Sequence, residues 1–137
     1  MYEEVVLPYE KRFFREMAEV CRKHDAVTLL HICGNNEKVF HLYAECGADI
    51  VAVDHKANMA YAKEVMGDRV CLIGNLDPVT VLLQGSPDDV VRESRRCIAE
   101  AASGGRYILG SGCEVAEATP QENIHAAVKA ARESALA

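Results

Sequence analysis

No apolar run in the chain approaches the roughly 20 residues that span a bilayer, so a membrane-spanning segment is not expected. The opening Met1-Tyr2-Glu3-Glu4 lacks the basic start and apolar stretch of a secretory signal, and a cytoplasmic location is the expectation. Basic residues are in deficit. Against 21 Asp and Glu stand 15 Lys and Arg, a formal charge of −6 that excludes a broad basic surface for nucleic acid or anionic lipid. No Gly-x-Gly-x-x-Gly and no Walker loop follows any β-branched run, which removes the usual nucleotide-binding readings. There is no linker, no low-complexity tract and no repeat beyond a recurring strand-then-helix unit. At 137 residues, 50% of them hydrophobic, the chain fits a single domain over 1–137 with a sizeable core.

What is present is an alternation. An opening helix over 8–24 places Phe13, Met17, Val20 and Cys21 at helical spacing. The expected strands are Val27–Ile32, Asp49–Val53, Val70–Ile73 and Tyr107–Leu109. Between them helices are expected over Lys38–Cys46 and Ala57–Met66, stopped by Gly47 and Gly67. A short helical stretch, Val79–Leu83, comes next. Ser86 then reads as an N-cap, Pro87 as a first helical residue, and Asp88 and Asp89 suit the positive end of a helix running to about Ala102. Thr119-Pro120 opens the last helix in the same way. Strands alternating with helices require parallel pairing and right-handed crossovers. An open sheet and a barrel both satisfy that rule. A (β/α)8 barrel takes about 250 residues, so four units make half of one.

Six cysteines are present without other marks of a secreted scaffold. Cys21, Cys46, Cys71 and Cys97 fall singly within apolar-periodic segments, where a free thiol behaves as a small hydrophobe. Cys33 and Cys113 differ, because each adjoins a glycine beyond a strand end. Residues two apart on a strand share a face, so His31 and Cys33 point the same way, with Leu30 and Ile32 toward the helix layer. The same spacing groups Leu109, Ser111 and Cys113. Strand C-termini are where α/β enzymes hold their sites. One His and two Cys with no obvious fourth partner fit a catalytic zinc, which keeps a coordination position open, better than a closed structural one. The alternative is a core histidine beside core cysteines.

Asp54, Asn75 and Asp77 also end strands at the same mouth and are candidates for substrate binding. Asn and Asp there can equally satisfy loop backbone donors. His55 follows the second strand and is within reach of the site, while His24, His41 and His125 lie on or at the ends of helices.

At these residues the chain resembles the uroporphyrinogen decarboxylase superfamily over nearly its whole length. His31–Gly34 (HICG), Gly47-Ala48-Asp49, Gly74–Pro78 (GNLDP), Gly112-Cys113 and Thr119–Asn123 (TPQEN) occur in the family's order. The resemblance implies a (β/α)8 barrel of which these segments are the last four units. The His-x-Cys and later Gly-Cys pattern is similar to the zinc-dependent branch typified by methylcobamide:coenzyme M methyltransferases. In that branch the matching residues, here His31, Cys33 and Cys113, bind zinc, and a thiol accepts methyl from a methylated corrinoid. The implied partners are a small thiol and a corrinoid or corrinoid protein. True decarboxylases share GNLDP, lack the His/Cys/Cys set, and carry their key acidic residue in the N-terminal half. A tetrapyrrole decarboxylase and a non-catalytic metal- or corrinoid-binding domain are the competing readings. Glu117-Ala118 stands where relatives often have proline. A half barrel also leaves two strand edges bare, so a homodimer is expected.

Overall fold

The computed structural model describes residues 1–135. A wide π-helical turn, Tyr2–Val6, runs directly into α1 (Leu7–Lys23). The order then runs β1 (Leu29–His31), α2 (Phe40–Tyr43), β2 (Ile50–Ala52), α3 (Met59–Met66), β3 (Cys71–Leu76), α4 (Pro87–Ala101), β4 (Tyr107–Ser111) and α5 (Gln121–Ala135). The four strands form one parallel sheet in chain order, β1-β2-β3-β4, as consecutive right-handed βα units require.

Register fixes the two faces. Leu30, Val51, Leu72 and Tyr107 stand in one row, and His31, Ala52, Ile73 and Ile108 in the next. The first row turns to the helices, where Val51 and Leu72 pack with Phe40, Met59 and Met66. The second row forms the inner face, and there Leu29 is 49% and Ile108 43% exposed. In that register Leu109 lies one step from Ile108 and packs on the helix side against the cluster around Leu82, Val90 and Cys97. Of the face that the sequence pattern gives to Leu109, Ser111 and Cys113, Leu109 therefore departs to the helix side, while Ser111 and Cys113 line the mouth with Leu29 and His31.

Element bounds shift where tertiary contacts decide them. β1 is three residues long, and its ladder is made with β2 alone. Its approach is fastened instead by the Asp49 carboxylate, which accepts from Thr28 N at 2.7 Å and Thr28 Oγ1 at 2.8 Å. The helix expected over Lys38–Cys46 splits into a 3-10 turn, Glu37–Val39, and the short α2. Val39 leaves helical geometry at φ −119°, and beyond α2 the chain tightens into i→i+3 bonds, Glu45 N to Leu42 O and Cys46 N to Tyr43 O. Gly47 at φ +96° then reverses the chain, a conformation that costs a residue with a Cβ. The stretch after GNLDP is a π-helical turn, Pro78–Leu83, capped by Asp77. Ser86 and Asp89 close a reciprocal capping box on α4. Asn123, 1% exposed, ties α5 to the π-helical turn and the loop before α4 by donating to Leu82 O and Gly85 O.

Candidate metal centre

Two strand-end loops meet at the C-terminal mouth. β1 ends at His31, whose side chain takes the inner-face direction of its row. The His31 Nδ1 lies 3.2 Å from Ala52 O. A carbonyl only accepts, so Nδ1 is the donor of this pair, which holds the ring with Nε2 turned toward the mouth, where it can serve as a metal ligand. Two residues on, Cys33 Sγ is 3.3 Å from that Nε2.

Cys113 arrives by another route. β4 ends at Ser111, and the chain bends at Gly112. Gly112 N donates to Leu76 O at 2.7 Å, and Ser111 Oγ donates to Cys113 O at 2.6 Å, so both sides of the bend are pinned. A Cβ on Gly112 would stand 2.3 Å from His55 N. Only a glycine allows the bend to lie against the His55 backbone, and the bend brings Cys113 Sγ to 3.6 Å from Cys33 Sγ. Cys113 thus lies beside Ser111 and His31 at the mouth, as the sequence pattern expects, but it is the turn beyond β4 and not the strand itself that aims its sulfur.

Asp54, only 4% exposed, clamps the loop after β1 to its own loop after β2. Its Oδ2 accepts from Gly34 N and its Oδ1 from Lys56 N, both at 2.8 Å. Burial works against its charge, but those two N–H groups and the neighbouring His55 hold its carboxyl below the usual range. One ligand atom each from His31, Cys33, Asp54 and Cys113 lies within 4.8 Å of the others. The Cys33 thiol is pushed up, first by its hydrogen bond to Cys113 and then by the charge of that sulfur. Such crowding of like groups is what a bound cation relieves.

The donor set fits zinc. A tetrahedral ion with Zn–S near 2.3 Å and Zn–N near 2.05 Å sets S···S edges of about 3.8 Å and N···S edges of about 3.6 Å. The observed 3.6 Å and 3.3 Å are each within a few tenths of those edges.

Of the other candidates, Asn75 is buried, and its Nδ2 donates to Asp54 O at 3.1 Å and Ala57 O at 2.8 Å. Its Oδ1 accepts from Cys97 Sγ at 3.6 Å. Every polar atom of that amide is committed within the protein, so Asn75 holds the Asp54 loop. Asp77 caps the π-helical turn through Val79 N and Thr80 N. Burial opposes its charge, and those N–H groups nevertheless keep its carboxyl below the usual range. His55 sits between the two carboxylates, Nδ1 at 3.4 Å from Asp54 Oδ1 and Nε2 at 4.0 Å from Asp77 Oδ2. Sequence reasoning placed His55 near the site without a role; Asp54 is its neighbour in the chain, but the approach of Asp77 comes only with the fold. Cys46 and Cys97 are buried, as the pattern of single apolar-periodic cysteines implies. No helix among the described residues is long and apolar enough to cross a membrane.

This fold and mouth define the C-terminal half of a (β/α)8 barrel. The chain belongs to the uroporphyrinogen decarboxylase (URO-D) family, whose model matches residues 1–134. A methylcobamide:CoM methyltransferase of Methanosarcina acetivorans is 32% identical over 131 residues, 96% of this chain and 36% of its own. A methylated-thiol–coenzyme M methyltransferase of Methanosarcina mazei is 31% identical over 135 residues, 98% of this chain and 34% of its own. A uroporphyrinogen decarboxylase of Thermosynechococcus vestitus is 32% identical over 123 residues, 90% of this chain and 34% of its own. Among solved structures, a methyltransferase from Methanosarcina mazei superposes with a TM-score of 0.83 at 30% identity, covering 97% of this chain and 36% of that one. The chain spans about a third of the length of the relatives it matches.

Proposed function

We propose that residues 1–137 form, as one domain, the metal-carrying half of a zinc-dependent methyltransferase that moves a methyl group from a methylated corrinoid to a small thiol such as coenzyme M. The observation that carries this reading is that Cys33 Sγ stands 3.3 Å from His31 Nε2 and 3.6 Å from Cys113 Sγ, each within a few tenths of an ångström of a zinc-tetrahedron edge, with all three donors in one cluster. Zinc held there supplies the positive charge that keeps an acceptor thiol deprotonated near neutral pH. The chain's own residues do the positioning. The Ala52 carbonyl holds the ring of His31, the Asp54 clamp sets the loop that carries Cys33, and the Gly112 bend sets Cys113. A tetrapyrrole decarboxylase works by polar stabilisation in the mouth and has no use for two adjacent thiols. The cobalt–carbon bond belongs to the corrinoid chemistry.

The test is a thiol-dependent demethylation of methylcobalamin by the chain joined to the rest of its barrel. Activity is expected there, and the isolated chain is expected to be slower by at least about a hundredfold, because half of the groups that orient the two reactants are missing. Decarboxylation of uroporphyrinogen without methyl transfer overturns the reading. Zinc or corrinoid binding without either turnover favours a binding domain.

The isolated chain is further proposed to associate with a second copy. β1 and β4 each have one unpaired edge, and Leu29 and Ile108 leave the inner face apolar. At the same two ends Tyr9 and Phe13 of α1 and Ile124 and Val128 of α5 are exposed. A two-fold axis along the barrel axis sets β4 of each copy beside β1 of the other and closes eight parallel strands. Sedimentation at micromolar concentration should give a dimer. A stable monomer overturns the association, and a dimer joined only through outer helices overturns the closure.

A further inference from the structure

We infer that Cys33 and Cys113 are a reversible disulfide-forming site, whose oxidant is a low-molecular-weight disulfide of the kind that small thiols form. The inference rests on the same two sulfurs as the proposed function but asks of them a second chemistry. Their Sγ atoms are 3.6 Å apart, in contact across two loops that are 80 residues apart in the chain. Each residue lies beyond a strand end, in a loop, and linkage requires the sulfurs to close from that contact to the roughly 2.05 Å of a disulfide. Access is graded. Cys33 is exposed and Cys113 half-buried, which makes Cys33 the first point of attack and Cys113 the resolving thiol.

The other four cysteines are differently placed. Cys46 is buried and accepts from Ala48 N, and Cys97 is buried against Asn75. Cys21 lies in α1 and Cys71 in β3, both half-buried.

The chemistry balances in two exchanges. The Cys33 thiolate attacks one sulfur of the small disulfide RSSR, forming a Cys33–S–SR bond and releasing one RS−. The Cys113 thiolate then attacks Cys33 Sγ, breaking that bond, forming Cys33–Cys113 and releasing the second RS−. The two protein thiols lose two electrons, and the disulfide gains them as two small thiols, which take up the two protons. A disulfide here removes both sulfur donors and leaves His31 as the one remaining member of the trio. An enzyme that consumes a small thiol would thereby lose its metal site when the oxidised form of such a thiol accumulates, and recover it when the thiol pool is reduced.

The probe is glutathione disulfide, applied to the 137-residue chain stripped of metal and to the same chain loaded with zinc. The stripped chain should fall from six free thiols to four, lose the mass of two hydrogens, and yield a Cys33–Cys113 linked peptide on digestion. Dithiothreitol should restore all six thiols together with zinc binding. Bound zinc should slow linkage at least about tenfold, because the same sulfurs are engaged. Cys113→Ser should stop at a glutathionyl adduct on Cys33. Six surviving thiols, a link between any other pair, adducts without an internal link, or equal rates with and without zinc each overturn the inference. The two proposals fail separately. A chain that binds zinc and never links refutes only this one. A chain that links, but transfers no methyl once joined to its barrel, refutes only the proposed function.

Discussion

Cys33→Ser and Cys113→Ser are each expected to lower zinc affinity by at least about a hundredfold, while Cys21→Ser leaves it unchanged. The size follows from chemistry at the ligand atom. A thiol is deprotonated by the metal at neutral pH, whereas a serine hydroxyl, far less acidic, is not, so the variant loses a charged donor and keeps a neutral oxygen on a shorter bond. Two donors then remain from the trio, too few to compete with water around the ion. Cys21 is the fair control because it is a half-buried thiol of the same chain, carried on α1 and outside the cluster of His31, Cys33, Asp54 and Cys113. The measurement is a competition titration against a chromophoric chelator, with a thermal melt to show that each variant folds. No zinc after reconstitution of the unaltered chain, or the same loss in all three variants, refutes the metal assignment.

Much of the fold was legible because its signals are local. The alternation of β-branched runs with helical periodicity, the glycine stops and the Ser86-Pro87-Asp88-Asp89 start each rest on neighbours in the chain, and the structure places four parallel strands and the α4 capping box accordingly. What was not legible depended on partners far away. Val39 breaks the expected Lys38–Cys46 helix, and β4 runs on to Ser111 because β3 offers a ladder as far as Leu76. In the site, His31 follows from strand alternation, being the last residue of β1. The directions of Cys33 and Cys113 do not, since each lies two residues beyond a strand end, where the turn and not the strand sets it. Asp54 and Asn75 were readable as loop-end polar residues, yet whether such a side chain faces ligand or backbone is decided by N–H and C=O groups that fold against it. In both cases the backbone is the partner, Gly34 N and Lys56 N for Asp54, Asp54 O and Ala57 O for Asn75.

Gly112→Ala is expected to weaken zinc binding about tenfold to a hundredfold, through Cys113 and without touching any ligand atom. An added Cβ would stand 2.3 Å from His55 N and 2.7 Å from His55 Cα, closer than real Cβ atoms come. The obstacle is backbone, so no flexible side-chain end can swing away. One of the two segments must move. The His55 segment is anchored by Asp54, whose carboxylate holds Gly34 N and Lys56 N and whose carbonyl is held by Asn75. The Gly112 side has fewer fastenings, the bond to Leu76 O and the Ser111–Cys113 turn. It is therefore the strand end carrying Cys113 that yields, and the 3.6 Å approach to Cys33 opens. Strain of this kind also costs about 1–3 kcal/mol of stability, so a comparison is needed that strains the fold elsewhere. Gly85→Ala supplies it, because a Cβ there meets Val81 O at 2.4 Å, in the loop before α4 and outside the metal cluster. Both variants should melt earlier than the unaltered chain, and only Gly112→Ala should also lose zinc affinity in the chelator titration. Equal zinc affinity in the two variants would show that Cys113 tolerates movement of its turn, and that the bend at Gly112 serves the fold alone.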